Sequence, residues 1–229
     1  NVWESTRYPD PFFKQLLTFD QLWVPSTWQR ECAIEQGYPA DRVKVIPEGV
    51  EGSLYHPDGD HDPICFNFLH VGKWETRKST IEIIETWIVT FPKEQYPNLR
   101  LYLLVDTNFP VDGMKTTEER LIIYGFRDER IVNLPFQTKG DYIVLLQMMD
   151  VFVTCARAEG WNLPLIEAMA CGIPSICSQY GAQLDFHTYK DLQVKIKEHR
   201  KPINVYNMPD CPGTWAEPDY EDLGKVMLY

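Results

Sequence analysis

Between residues 64 and 180, short and almost wholly apolar segments alternate with amphipathic ones, and this alternation most limits what the chain can fold into. Cys65 to Val71, Leu99 to Val105, Ile131 to Leu134, Asp150 to Cys155 and Ile173 to Cys177 read as buried strands. A strand covered on both faces needs no polar alternation, so it reads as a continuous apolar run. The intervening segments carry the helical period. After Ser79 or Thr80, the residues Ile81, Ile84, Trp87, Ile88 and Phe91 fall on one stripe. Thr116 to Tyr124, Asp141 to Met149 and Leu163 to Cys171 follow as helices, the last closed by Gly172. Strands separated by helices predict a parallel sheet with helices on both faces, so residues 64 to about 180 read as a doubly wound α/β domain.

The flanks are simpler. Gln21 to Pro25 and Val43 to Ile46 are short strands around a helix that Ser26 or Thr27 caps and Gly37 ends. Residues 47 to 63, rich in Pro, Gly, Asp and His, read as a linker. Pro202 to Pro218 is expected to be irregular, and Asp219 to Met227 a last short helix. The chain of 229 residues therefore divides at 63/64.

A net charge of −11 argues against nucleic acid as a partner, because that partner selects basic surfaces. Six cysteines without CxxC spacing, mostly inside apolar segments, read as free thiols in a reducing compartment, so a cytoplasmic location is expected. The five histidines lack ligand spacing, so no metal site is expected. No run of 18 apolar residues occurs and no signal peptide opens the sequence. The first residue is Asn1 rather than Met, which fits a processed chain or a part of something longer.

In a doubly wound sheet, ligands bind outside the carboxyl ends of the strands. That rule selects three loops: 72–79, 155–163 and 178–183. The first, Gly72-Lys-Trp-Glu-Thr-Arg-Lys-Ser79, sets Lys73, Arg77 and Lys78 beside a helix start, where the dipole also favours an anion. It is neither a Walker loop nor GxGxxG, so a diphosphate held in some other way is expected. The second carries Glu159 at the cleft mouth and Glu167 eight residues on, inside the next helix. Two carboxylates at different depths can hold the hydroxyls of two sugar rings. In the third, Gly181 permits close backbone approach.

The phrase Glu159-Gly-Trp-Asn-Leu-Pro-Leu-Ile-Glu-Ala-Met-Ala-Cys-Gly-Ile-Pro174 resembles the signature of the retaining GT-B-fold glycosyltransferases of family 4. The first loop is similar to that family's G-[RK]-x-x-x-x-K-G element. Trp23-Val-Pro-Ser26, Val45-Ile-Pro-Glu-Gly-Val50 and Tyr55-His-Pro57 resemble its passage from acceptor to donor domain. The resemblance implies a Rossmann-like donor-binding domain over residues 64–229, with residues 1–63 as the end of an acceptor-type domain and the interdomain linker. It implies that Lys73 and Lys78 contact the donor diphosphate, with Arg77 as a third cation, and that Glu167 binds the ribose. Glu159 would hold the transferred sugar, while Gly72 and the backbone N–H groups of Gly160, Trp161, Asn162 and Leu163 would line the donor site.

The implied reaction is transfer from a nucleoside-diphosphate sugar to a glycan, lipid or protein acceptor. It proceeds with retention, without metal or other cofactor, and the acceptor side is completed by a second domain or chain. The alternatives are a non-catalytic nucleotide-sugar-binding module or scaffold and, more remotely, a sugar-nucleotide epimerase. Two departures stand out: Ser79 and Asn162 occupy positions where the family commonly has glycine. Trp74 and Trp161 fit either a sugar wall or simple packing. His70 reads as a packed side chain, His187 as an exposed one, and Asn133 to Phe136 as a neighbour of the base.

Overall fold

The computed structural model describes residues 2–57, 59–105, 113–201 and 212–229. Its centre is a parallel sheet of six strands: β3 (Phe66–Val71), β4 (Leu99–Leu104), β5 (Ile131–Asn133), β6 (Val151–Val153), β7 (Ser175–Ser178) and β8 (Gln193–Val194). They lie in the order β5-β4-β3-β6-β7-β8, all neighbouring pairs parallel. The chain therefore builds outward from β3 in one direction, returns to place β6 on the other side of β3, and builds outward again. Phe68 pairs with both Leu101 and Val151. The switch point lies between β3 and β6, so the loops that leave these two strands meet.

Both faces are covered, as expected. Phe68, Leu101 and Leu103 point to a core that includes Ile83, Ile84 and Trp87 of α3 (Thr80–Thr90) and Leu223 of α7 (Tyr220–Met227). Leu69 and Phe152 point to the opposite core, with Leu146 of α5 (Lys139–Gln147) and Leu165 and Ala168 of α6 (Leu163–Ala170). Adjacent residues of a strand face opposite sides, which is why one apolar run serves two cores. A reciprocal cap starts α4 (Thr117–Ile123): the Thr116 hydroxyl accepts from the Glu119 N–H, and the Glu119 carboxylate accepts from the Thr116 N–H.

The first residues build a second, two-stranded sheet. Helix α1 (Asp10–Leu16) precedes strand β1 (Leu22–Val24), which pairs in parallel with β2 (Val43–Val45) across α2 (Thr27–Glu35). Ser26 caps α2 by accepting from the Gln29 N–H. Trp3, Tyr8, Phe13 and Tyr38 build an aromatic core here, and Ala158 and Trp215 from the larger part of the chain join it. The stretch expected to be a linker is anchored through Tyr55, which is buried in the core beside α6.

Two expectations change. Within the segment expected to be irregular, Trp215–Pro218 forms β10, antiparallel to β9 (Ile196–Arg200). Pro218 sits at the strand's end, where the register shifts and its missing N–H costs no bond. The rest of that expectation, residues 202–211 including Cys211, lies outside the described residues. His187 is buried rather than exposed, with its Nε2 2.6 Å from the Ser175 carbonyl.

Candidate functional site

The loop after β3 and the loop after β6 come together at the switch point, and Lys78 and Glu159 meet there. Lys78 Nζ lies 2.5 Å from Glu159 Oε1, and Arg77 Nη1 lies 3.0 Å from the same oxygen. Arg77 also donates to the Ala158 carbonyl at 2.9 Å and pairs with Glu4 at 3.1 Å. All three side chains of the cluster are less than a tenth exposed. Burial works against the Glu159 anion, but Lys78 and then Arg77 outweigh it and hold the carboxyl below its ordinary range. A carboxylate between two cations stays ionised at neutral pH.

The cluster is roofed by the start of the chain. A Cβ on Gly160 would collide with the Val2 side chain and lie 3.2 Å from the Trp3 carbonyl oxygen. Glu159 therefore sits beneath residues 2–4 and not at an open cleft mouth, which corrects the sequence expectation. A rise in hydrophobic content at Val2-Trp3 does not signal such a contact, because the partner lies more than 150 residues away.

Glu167 has a different setting. It lines an open pocket of about 810 Å³ together with Gly49, Tyr55, Gly72, Phe136, Thr138, Tyr142, Leu163 and Pro164. The Tyr142 hydroxyl donates to Glu167 Oε2 at 3.0 Å. Burial, then the Glu167 charge, push the Tyr142 pKa up, so the phenol remains a donor. Tyr55 beside it is pushed up to about 12, first by burial and then by the same carboxylate. Phe136 stands on the pocket rim, 87% exposed, at the place expected for a base neighbour.

Gly72 joins the two settings. It lines the Glu167 pocket, and a Cβ there would lie 3.3 Å from Lys78 Cδ and 3.4 Å from Cε. The aliphatic stem of Lys78 thus passes directly behind the pocket wall on its way to Glu159. Lys73 stands outside the cluster, about half exposed and 4.0 Å from Glu75.

Both departures from glycine carry a left-handed backbone. Ser79 (φ 56°) and Asn162 (φ 82°) are the non-glycine residues with positive φ among the described residues. Such a conformation is strained for Ser and tolerated better by Asn. Each side chain is held by a neighbour: Ser79 Oγ accepts from Arg157 at 3.1 Å, and Asn162 Nδ2 donates to Gln183 at 2.8 Å. Gln183 in turn donates to the Ser178 carbonyl and hydroxyl, tying the third loop to the second. Gly181, at φ 83°, brings that loop so close that a Cβ would lie 3.2 Å from the Glu159 carbonyl oxygen.

Neither tryptophan lines the pocket. Trp74 is buried, stacked on Tyr124 and 5.7 Å beneath the Arg120 guanidinium; Trp161 packs on Phe186 with centroids 4.9 Å apart. His70 is a packed side chain, as expected. Its Nδ1 donates to the Val153 carbonyl at 2.9 Å, which leaves Nε2 to accept from the Thr80 hydroxyl at 3.1 Å. Burial, the largest effect, takes its pKa down to about 4, so the ring is neutral. Among the described residues, no group of three or more His, Cys, Asp or Glu side chains is placed to hold a metal ion. No helix there is long and apolar enough to cross a membrane.

Comparison with known proteins places the chain and its fold. The chain is 24% identical over 160 residues to D-inositol 3-phosphate glycosyltransferase of Pseudarthrobacter chlorophenolicus, covering 66% of this chain and 37% of that relative. It is 28% identical over 140 residues to GDP-mannose:cellobiosyl-diphosphopolyprenol alpha-mannosyltransferase of Xanthomonas campestris, covering 60% and 34%. The chain thus spans little more than a third of these relatives' length. Among solved structures, a glycosyltransferase from Rickettsia africae shares the fold with a TM-score of 0.71 at 14% identity, over 99% of this chain and 58% of that one. HepE of Anabaena, solved in complex with UDP-glucose, does so with a TM-score of 0.64 at 19% identity, over 77% and 51%. The family model described as glycosyl transferases group 1 matches residues 68–194, which run from within β3 to the end of β8 and contain all three loops, and the chain belongs to that family.

Proposed function

We propose that this chain is the donor-binding part of a retaining glycosyltransferase that moves a sugar from a nucleoside diphosphate to a glycan, lipid or protein. One observation carries the reading: Gly72 is at once a wall of the Glu167 pocket and the surface against which Lys78 lies. A nucleoside in the pocket, with its ribose on Glu167 and its base at Phe136, would direct its diphosphate past Gly72 toward Lys78 and Lys73. The sugar beyond it would lie on the side of Glu159, whose carboxylate, beneath residues 2–4, would act on it through its charge.

Cleavage of the bond between sugar and diphosphate develops negative charge on the leaving phosphate and positive charge on the sugar ring. Fixed cations stabilise the first, and a fixed carboxylate stabilises the second. Lys78 and Glu159 supply both signs from one buried pair, and each well-aimed group contributes about 2.7–4 kcal/mol by comparison with oxyanion-hole donors. The leaving phosphate oxygen takes the acceptor proton, and side-chain cations neutralise the diphosphate without a further cofactor. Retention follows from the family resemblance. A second domain or chain completes the acceptor side. The unpaired thiols Cys32, Cys65, Cys155, Cys171 and Cys177 fit a cytoplasmic setting.

Calorimetry with UDP, GDP, ADP and their sugars tests the reading: one nucleotide series binds, and Lys78→Ala lowers sugar-nucleotide turnover about 100-fold. Absence of binding by all three diphosphates, or near-normal turnover in the variant, overturns it. A second reading, a binding module that does not transfer, is favoured by the carboxylates of Glu159 and Glu4 that already neutralise Lys78 and Arg77. Tight nucleotide binding with neither transfer nor donor hydrolysis establishes that reading instead.

A further inference from the structure

We propose that Arg157 is the positioning residue of this site, and that it sets the separation of Lys78 and Glu159 by clamping the loops that carry them. The proposal rests on the donor-binding reading above.

Arg157 lies two residues before Glu159 and is 1% exposed. All three guanidinium nitrogens are engaged. Nε donates to Glu217 Oε2 at 2.7 Å; Nη2 donates to Glu217 Oε1 at 2.7 Å and to Glu82 Oε1 at 2.5 Å. Nη1 donates to the Thr76 carbonyl and, at 3.1 Å, to Ser79 Oγ. The Arg157 N–H donates to the Arg77 carbonyl at 2.8 Å, and its own carbonyl accepts from the Ala216 N–H at 3.0 Å. Thr76, Arg77 and Ser79 are thus bonded directly to Arg157, and they bracket Lys78 on both sides.

One residue therefore fixes the chain on both sides of Lys78 while its own backbone leads into Glu159. The bonds explain how Ser79 is kept left-handed at the start of α3, since its hydroxyl is held by Arg157 and also by the Tyr220 hydroxyl at 3.2 Å. The one Tyr220 proton goes to Glu217 Oε1 at 2.9 Å, so the Tyr220 oxygen accepts from the Ser79 hydroxyl, and β10 and α7 hold the clamp from behind. A guanidinium suits this role because its five donors lie in a rigid plane and can satisfy acceptors on several elements at once, which an ammonium cannot. Arg157 touches neither the pocket nor any reacting atom, and its influence runs through the two residues it places.

The test is Arg157→Lys, which keeps the charge and loses the fork, with Tyr220→Phe as a milder variant that removes one hydroxyl from the clamp. Calorimetry compares UDP, GDP and ADP with UMP, GMP and AMP on each protein, alongside thermal melting. Expected for Arg157→Lys is a fall of tenfold or more in the preference for the diphosphate over its monophosphate, with monophosphate affinity retained at Glu167. Tyr220→Phe shifts the same ratio about threefold and decides the matter if Arg157→Lys does not fold. A wild-type ratio in the folded variants overturns the positioning role even where melting temperature drops. Failure of the wild-type protein to bind any of the three diphosphates overturns the donor-binding reading, and this proposal with it.

Discussion

Glu159 and Glu167 leave the same loop-and-helix segment, yet the protein treats them as different chemical species. Glu159 is enclosed, bound to two cations and covered by residues 2–4. Glu167 faces an open pocket and meets the neutral phenol of Tyr142. A carboxylate with a charged partner in a dry environment has a fixed ionisation state and a fixed position, which suits charge stabilisation. One beside phenols at a wet pocket can exchange partners, which suits recognition of hydroxyls. The difference teaches that neighbours, not residue type, set the state of the motif's two glutamates; in the proposed function that difference would divide binding from chemistry.

The largest expected effect breaks the closed side. Lys78→Ala removes one partner of a buried ion pair and leaves Glu159 with Arg77 alone, which is expected to cost about 3–5 kcal/mol of stability. Glu167→Gln, by contrast, exchanges an acceptor in an open pocket, and stability stays within about 0.5 kcal/mol while nucleotide affinity falls. Urea denaturation of both variants measures the comparison directly. Equal losses would mean that the two carboxylates are not so different after all.

A smaller effect sharpens the same contrast through pH. His70 is buried within reach of the Lys78 charge, and its Nε2 accepts from Thr80, the first residue of α3. Its folded pKa of about 4 lies below the ordinary 6.5, so the unfolded chain binds a proton that the folded protein refuses. Its contribution is whole above pH 6.5 and declines as pH falls toward 4, by on the order of 3 kcal/mol across the window. Glu159, held below its ordinary 4.5, adds a second decline that starts at that pH and continues downward. Stability measured against pH is expected to fall in these two stages, and His70→Gln removes the upper one. A variant curve that superimposes on the wild type between pH 6.5 and 4 rejects this account of the histidine.

Much of the fold is legible in the sequence because it depends on local signals. Apolar runs at Cys65 to Val71 and Asp150 to Cys155, and the helical stripe after Thr80, are enough for a doubly wound sheet, and the sheet's switch point then selects the loops. Ser79 and Asn162 are visible as replacements for glycine, and both hold left-handed backbone. What stays hidden depends on distant partners. Nothing near Arg157 announces Glu217, 60 residues later, on a strand whose residues carry no clean alternation. Val2 and Trp3 give no sign that they cover Gly160. His187 reads as exposed because the bond that buries it is made to the Ser175 carbonyl, a backbone group that leaves no trace in residue type.

The smallest expected effect belongs to the open side. Phe136 is 87% exposed at the pocket rim, so its ring contributes little to the folded state and Phe136→Ala leaves stability within about 0.5 kcal/mol. A base stacked on that ring would gain about 0.5–1.5 kcal/mol beyond its area burial, so nucleotide affinity is expected to fall roughly threefold to tenfold. The loss should be the same for a nucleoside monophosphate and its diphosphate, because the ring acts on the base alone. That equality separates it from Arg157, whose replacement acts on the diphosphate. If Phe136→Ala instead changes the ratio of the two affinities, the base does not lie on the ring, and the assignment of the pocket's ends has to be reversed.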